Sequence, residues 1–142
     1  MTKTIRPIAI GIVIHRDRLF AFEGYDPYKP ETFYRPLGGS IEFGERGEQA
    51  LAREFKEEIG AELKNITYLT TVENIFIYKG EPHHEIVLIY SCEFKNKTLY
   101  TKSEIIGRED DGSPLRCLWQ PISKFLKGKL ILYPDGLIEL IR

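Results

Sequence analysis

The sequence predicts an α/β chain, a sandwich of helix and mixed β-sheet. Three observations predict it: β-branched apolar runs along the whole length, one long Pro-free helix near the middle, and a further short helical pattern at the end. Ile8 to Ile14 is nearly continuous in Ile, Val and Ala, which suits a strand buried on both faces. Arg18 to Glu23, after a turn at Arg16-Asp17, reads as its hairpin partner. Gly24 to Thr32 carries a Gly, two Pro and two Tyr and reads as a loop. Phe33 to Leu37 reads as a short strand ending in Gly38-Gly39. Arg46 to Gly60 is rich in Ala, Leu, Arg, Glu and Lys and reads as the long helix, stopped by Gly60. Ile66 to Val72, Ile75 to Tyr78 and Ile86 to Cys92 are strand-like, with a turn at Lys79-Gly80-Glu81-Pro82. Thr101 to Gly112 is polar and charged, and no strand is assigned there. Leu115 to Trp119 is the last strand, Ile122 to Leu126 a helical turn, and Leu137 to Ile141 a final helix entered through Pro134-Asp135.

The chain has 142 residues, 42% hydrophobic and 29% charged, with 20 Lys+Arg against 21 Asp+Glu and a net charge of −1. Residues 1–142 therefore read as one domain, which at this size buries roughly 70% of its unfolded surface and needs no staple. The balanced charge argues against a broad nucleic-acid face or an anionic membrane surface as partner. Cys92 and Cys117 lie in apolar strand-like runs and read as core residues of a reduced, cytoplasmic protein. Ile8 to Ile14 falls far short of the ~20 residues of a membrane span, and no signal-peptide cleavage site follows it.

The charge is unevenly spread. From Glu42 to Glu62 there are seven acids against three bases. On a helix at about 100° per residue, Glu54, Glu57 and Glu58 share one sector roughly 100° wide, flanked by the core-facing Leu51, Phe55 and Ile59. Such like charges cost a helix a few tenths of a kcal/mol per pair. Arg53 reaches Glu57 at i+4 but cannot neutralise three carboxylates, whereas a hard divalent cation accepts them as oxygen ligands. Magnesium takes one or two carboxylates plus phosphate oxygens, so the cluster by itself reads either as a solvated acidic helix face or as the site of one to three ions bridging to a phosphorylated substrate, and the surrounding pattern decides.

The segment as a whole reads G-x5-E-x7-R-E-U-x-E-E-x-G-U, with Gly39, Glu45, Arg53, Glu54, Glu57, Glu58 and Gly60 at the fixed positions and Phe55 and Ala61 at the two aliphatic ones. Seven matches at about 1 in 20 each arise by chance on the order of once in 10⁹ starts. It resembles the signature of the Nudix (MutT-like) hydrolases. The resemblance implies a Nudix-type α/β/α sandwich with a mixed sheet. It also implies hydrolysis of the pyrophosphate linkage in a nucleoside diphosphate joined to another moiety, with Mg2+ or Mn2+ as cofactor. By position it implies Glu54, Glu57, Glu58 and the Gly38 carbonyl as metal ligands, Arg53 as the residue orienting the helix carboxylates, and Glu45 as a support for the loop.

The general base stays open between Glu54, Glu57 and Glu109, with Glu104 as a fallback and Glu85 as a further acid able to face the metals. His83 and His84, beside a turn, read as solvent-exposed, and Trp119 reads as a packed strand residue. Candidate substrate contacts are Arg35 and Lys29 for phosphate, with Tyr28, Tyr25 and Tyr78 for a base. Tyr78 lies seventeen residues past Ala61, near a tyrosine of the diadenosine polyphosphate hydrolases. The S-Q-P-W-P-F-P-x-S stretch of NADH-cleaving members, the L-L-T-x-R lead-in of coenzyme A members and the proline of many ADP-ribose hydrolases are all missing. The expected partner is a small nucleotide, and a homodimer is compatible with the sequence. A non-catalytic nucleotide sensor and an RNA-decapping pyrophosphohydrolase are the alternatives. An isomerase on the same fold fits less well, because neither cysteine has an evident acid partner.

Overall fold

The computed structural model describes residues 3–142. In chain order its strands are β1 (Ile5–Ile12), β2 (Ile14–His15), β3 (Arg18–Asp26), β4 (Glu31–Arg35), β5 (Gly38–Ser40), β6 (Leu63–Tyr78), β7 (Glu81–Phe94), β8 (Glu104–Arg108) and β9 (Pro114–Pro121). Its α-helices are α1 (Gly47–Ile59), α2 (Ile122–Leu126) and α3 (Ile138–Ile141). They build two sheets. One is mixed, ordered β5-β1-β7-β6, with β1 and β7 parallel. The other is antiparallel, ordered β2-β3-β9-β8, with β4 paired to β3.

Alternate residues of the central strands divide two cores. Ala9, Cys92 and Phe94 face a core shared with Leu51 and Phe55 of α1 and with Phe20, Cys117 and Trp119 of the second sheet. Ile8, Ile10, Val87 and Ile89 face the other, shared with Leu19, Phe125 of α2 and Ile141 of α3. The two sheets thus form a middle layer between α1 and the C-terminal helices, the expected α/β/α sandwich. Period-2 alternation with both faces covered is why β1 and β7 read as nearly unbroken apolar runs.

Several sequence expectations change. Ile8 to Ile14 does not pair as one strand with Arg18 to Glu23. Only β2 forms that hairpin, whereas β1 lies parallel to β7, where both of its faces are buried. The loop at Gly24 to Thr32 shrinks to a tight turn, because β3 runs on to Asp26 and β4 starts at Glu31, and the Asp26 carboxylate accepts the Tyr28 N–H at 3.0 Å. Ile66 to Val72 and Ile75 to Tyr78 belong to one strand, with irregular register between Lys64 and Thr67 and between Tyr68 and Thr70. Within the polar stretch Thr101 to Gly112, β8 pairs with β9; Ile106 is exposed and Gly107 buried, a pattern too short to show in sequence.

The long helix falls where expected. Arg46 caps its N-terminus, with its N–H donated to the Gln49 side chain at 2.7 Å, and Gly60 closes it with an N–H to the Lys56 carbonyl. The last turn of α1 presses on β8 at Gly107, where any Cβ would run into the Glu58 carbonyl and Ile59. This approach carries the loop after β8 to the acidic face of α1. Gly107→Ala is expected to cost about 1–3 kcal/mol in urea unfolding through overpacking; an unchanged midpoint would mean that β8 can move away from α1 freely.

Candidate metal and nucleotide site

Arg53 organises the acidic end of α1. Its Nε and Nη2 donate to the two carboxylate oxygens of Glu45 at 2.7 and 2.9 Å, a bidentate fork. Its Nη1 donates to Glu54 at 2.8 Å and to Glu57 at 3.4 Å, and Nη2 also reaches the Ser40 carbonyl at 2.9 Å. One guanidinium therefore fixes the loop before α1, strand β5 and two carboxylates one turn apart. These partners hold the Glu45 carboxyl at about 2, against an ordinary 4.5, first through the Arg53 hydrogen bonds and then through the Glu42 N–H.

Glu54 is buried, packed against β5 where a Cβ on Gly39 would collide with its carboxylate. Glu57 is half exposed. Glu54, Glu57 and Asp110 each bring one carboxylate oxygen within 4.8 Å of the others. Glu58 stands beside this group: its Oε1 is buried without a partner, and its carboxyl is pushed up to about 8, first by burial and then by Glu54, Asp110 and Glu109. Burial likewise raises Glu54, against the pull of Arg53. Acids so arranged either hold protons or share a cation. The orphaned oxygen and the all-oxygen donor set fit a hard divalent ion.

Beside the anticipated Glu54, Glu57 and Glu58, the structure brings in a further acid. Asp110 joins the close group, brought in by the Gly107 contact from far along the chain, and Glu58 flanks it. Gly38 lines the same cleft of about 360 Å³, together with Glu109 and Asp111. Glu109 accepts the Ser113 hydroxyl at 2.7 Å. Glu104 is turned to Arg116 at 3.4 Å and lines neither cleft. Glu85 is buried against Arg35 at 2.8 Å and lines a second, larger cleft.

The acidic end opens into a larger cleft of about 1070 Å³ between the two sheets. Tyr25, Tyr28 and Tyr78 line it, with Arg35 and Lys29. The Tyr78 hydroxyl donates to the Tyr25 carbonyl at 3.3 Å and its ring meets Phe33 edge-on; Lys29 pairs with Glu31 at 3.5 Å. Phe33, Phe76 and Tyr133 also line it and were not anticipated, because alternation in a strand does not say which face meets a cleft. His83 and His84 are half-buried instead of exposed, and His83 stacks on Phe76 at 5.1 Å. Trp119 is a core residue, its Nε1 donating to the Leu99 carbonyl. Cys92 and Cys117 are free and buried, and burial pushes both thiols up to about 12.

A model of the NUDIX domain matches residues 5–134. The chain belongs to the NUDIX family. An NAD-capped RNA hydrolase, NudC, from Pseudomonas aeruginosa is 32% identical over 78 residues, 55% of this chain. The chain spans only 24% of the length of that curated relative. Among solved structures, a NUDIX hydrolase from Nitrosomonas europaea superposes with a TM-score of 0.66 at 14% identity, covering 97% of this chain and 86% of that one. A MutT NUDIX hydrolase from Burkholderia pseudomallei gives 0.64 at 17% identity over 98% and 96%. These two structures establish the shared fold. No helix among the described residues is long and apolar enough to cross a membrane.

The Arg53 fork yields a pH prediction. Because the Glu45 carboxyl is lower in the folded state, its contribution to stability is complete above about pH 5 and is lost as the pH falls through about 2. The urea midpoint of Glu45→Gln should lie below that of the unsubstituted protein by a constant amount above about pH 5, and the two should converge toward pH 2. A gap that persists at low pH would assign the effect to side-chain shape instead of charge.

Proposed function

We propose that this chain, acting as one domain over residues 1–142, hydrolyses the pyrophosphate linkage of a nucleoside diphosphate joined to another moiety, using Mg2+ or Mn2+. The observation that carries the proposal is the meeting of Glu54, Glu57 and Asp110 beside the orphaned Glu58 oxygen, at the mouth of a cleft lined by aromatic rings. Glu54, Glu57, Glu58 and Asp110, with the Gly38 carbonyl, would hold the ions. When bound, such ions neutralise charge on the phosphates and acidify water.

The protein's own groups do the rest. Arg53 keeps Glu54 and Glu57 in ligand geometry, so their charge is organised before substrate arrives. Glu109, at the junction of the two clefts, is the candidate to take a proton from the attacking water; Glu54 and Glu57 are its competitors. The rings of Tyr28, Tyr78 and Phe33 offer apolar surface to a nucleobase. The substrate would therefore be a small nucleotide, handled in a reducing compartment such as the cytoplasm, where the two buried thiols stay free.

A panel of nucleoside triphosphates, ADP-ribose, diadenosine polyphosphates, nucleotide sugars and NAD-capped RNA, each with magnesium and with products resolved by chromatography, tests this reading. At least one compound should be cleaved at a pyrophosphate bond, and Glu57→Gln should lose at least ~10²-fold in rate. If no compound is cleaved but nucleotides bind, the chain is a sensor; unaltered turnover in Glu57→Gln would remove the metal-ligand assignment.

A further inference from the structure

Where the acidic end meets the aromatic cleft, three adjacent strands present one row of polar residues. Arg6 of β1 and Asn74 of β6 are both register partners of Glu85 on β7, the strand between them. The Glu85 side chain is only 6% exposed. Its Oε1 accepts from Asn74 Nδ2 at 3.4 Å and from Arg35 Nη2, which reaches over from β4 of the other sheet, at 2.8 Å. Its Oε2 lies 3.9 Å from Arg6 Nη1, while Arg6 Nη2 donates to the Ser40 hydroxyl at 2.8 Å. Both arginines line the large cleft, and Arg6 lines the acidic end as well.

Arg35 and Arg6 together set two guanidiniums against the one carboxylate of Glu85. A buried ion pair does little for net stability compared with apolar packing, so its presence on a cleft wall calls for another role. Among the described residues, Arg35 donates to Glu85 through Nη2 alone, with Nε and Nη1 given no protein acceptor, and Arg35 lines the cleft. A guanidinium held by one carboxylate on a cleft wall, with N–H groups to spare, suits recognition of phosphate oxygens.

Building on the proposed hydrolysis, we propose that Arg35 and Arg6 form the grip for the nucleoside-side phosphate of the substrate, and that Glu85 is the positioning residue that aims Arg35. The phosphate chain would then run from the carboxylate group, past this row, to the base in the aromatic cleft. Glu85 touches no substrate. It relieves the repulsion between two neighbouring guanidiniums and fixes the direction of one of them.

The test is a double-mutant cycle on ADP binding, measured by calorimetry in magnesium on the full chain, with melting temperatures recorded for every variant. Arg35→Ala and Glu85→Gln should each weaken ADP binding about tenfold or more, while in the Arg35→Ala background Glu85→Gln should add less than about threefold. Equal losses in both backgrounds, or ADP affinity retained in either single variant, would overturn the proposal. Should Glu85→Gln fail to fold, Arg35→Lys decides: it keeps the charge and loses the planar fork, and is expected to weaken ADP at least about fivefold, with unaltered affinity counting against the grip. In an active enzyme Glu85→Gln should act mainly on KM, with kcat nearly maintained. ADP binding that depends on Arg35 in a protein that cleaves nothing would defeat the hydrolytic reading and leave this one standing. Normal turnover and KM in Arg35→Ala would do the reverse.

Discussion

The guanidinium of Arg53 is the interaction on which the rest of the site depends. Its hydrogen bonds run to Glu45, Glu54, Glu57 and the Ser40 carbonyl, from the loop before the long helix, the helix itself and a short strand of the mixed sheet. Without it, the buried Glu54 would stand uncompensated among other acids, a situation far more costly than the net worth of the pair. Its planarity matters as much as its charge, because five donors on three nitrogens form a fixed fork that grips one carboxylate bidentately and still reaches others, whereas an ammonium offers three donors from a single atom.

Ser40 links this hub to Arg6 of the large cleft. Its carbonyl accepts from Arg53 and its hydroxyl from Arg6. The three residues Gly38–Ser40 therefore tie the acidic end of α1 and the arginine-bearing edge of the large cleft to one backbone segment. On the proposed reading, a phosphate-bearing ligand lying across this segment would meet ions on one side and guanidiniums on the other. The near-neutral total of the chain conceals this arrangement.

Much of the helix was legible in the sequence, because a 3.6-residue period fixes which side chains share a face and local chemistry fixes the ends. Glu54 next to Phe55 and Arg53 four residues before Glu57 are consequences of one helix, and the structure places them accordingly. Residues that meet only through tertiary packing were not legible. Asp110 reaches Glu54 because β8 passes against α1 at Gly107, and neither the strand nor the contact has a local signature. Glu85 and Arg35 are fifty positions apart and pair across two sheets; either one read alone is an unremarkable acid or base. The same limit explains β1, whose buried character was plain while its partner was not: periodicity reports which faces are covered and is silent about neighbours.

The acids of the close group come from different parts of the middle layer's surroundings. Glu54 and Glu57 ride on a helix packed against both sheets, whereas Asp110 sits on the loop joining β8 to β9, within the antiparallel sheet alone. On the proposed reading, ions that draw these oxygens together also fasten that loop to the helix. Ligand occupancy and mechanical cohesion would then be one thermodynamic quantity, since whatever binds only the folded arrangement stabilises it by mass action. The ionic composition of its surroundings would set how firmly the molecule holds together as well as how fast it works.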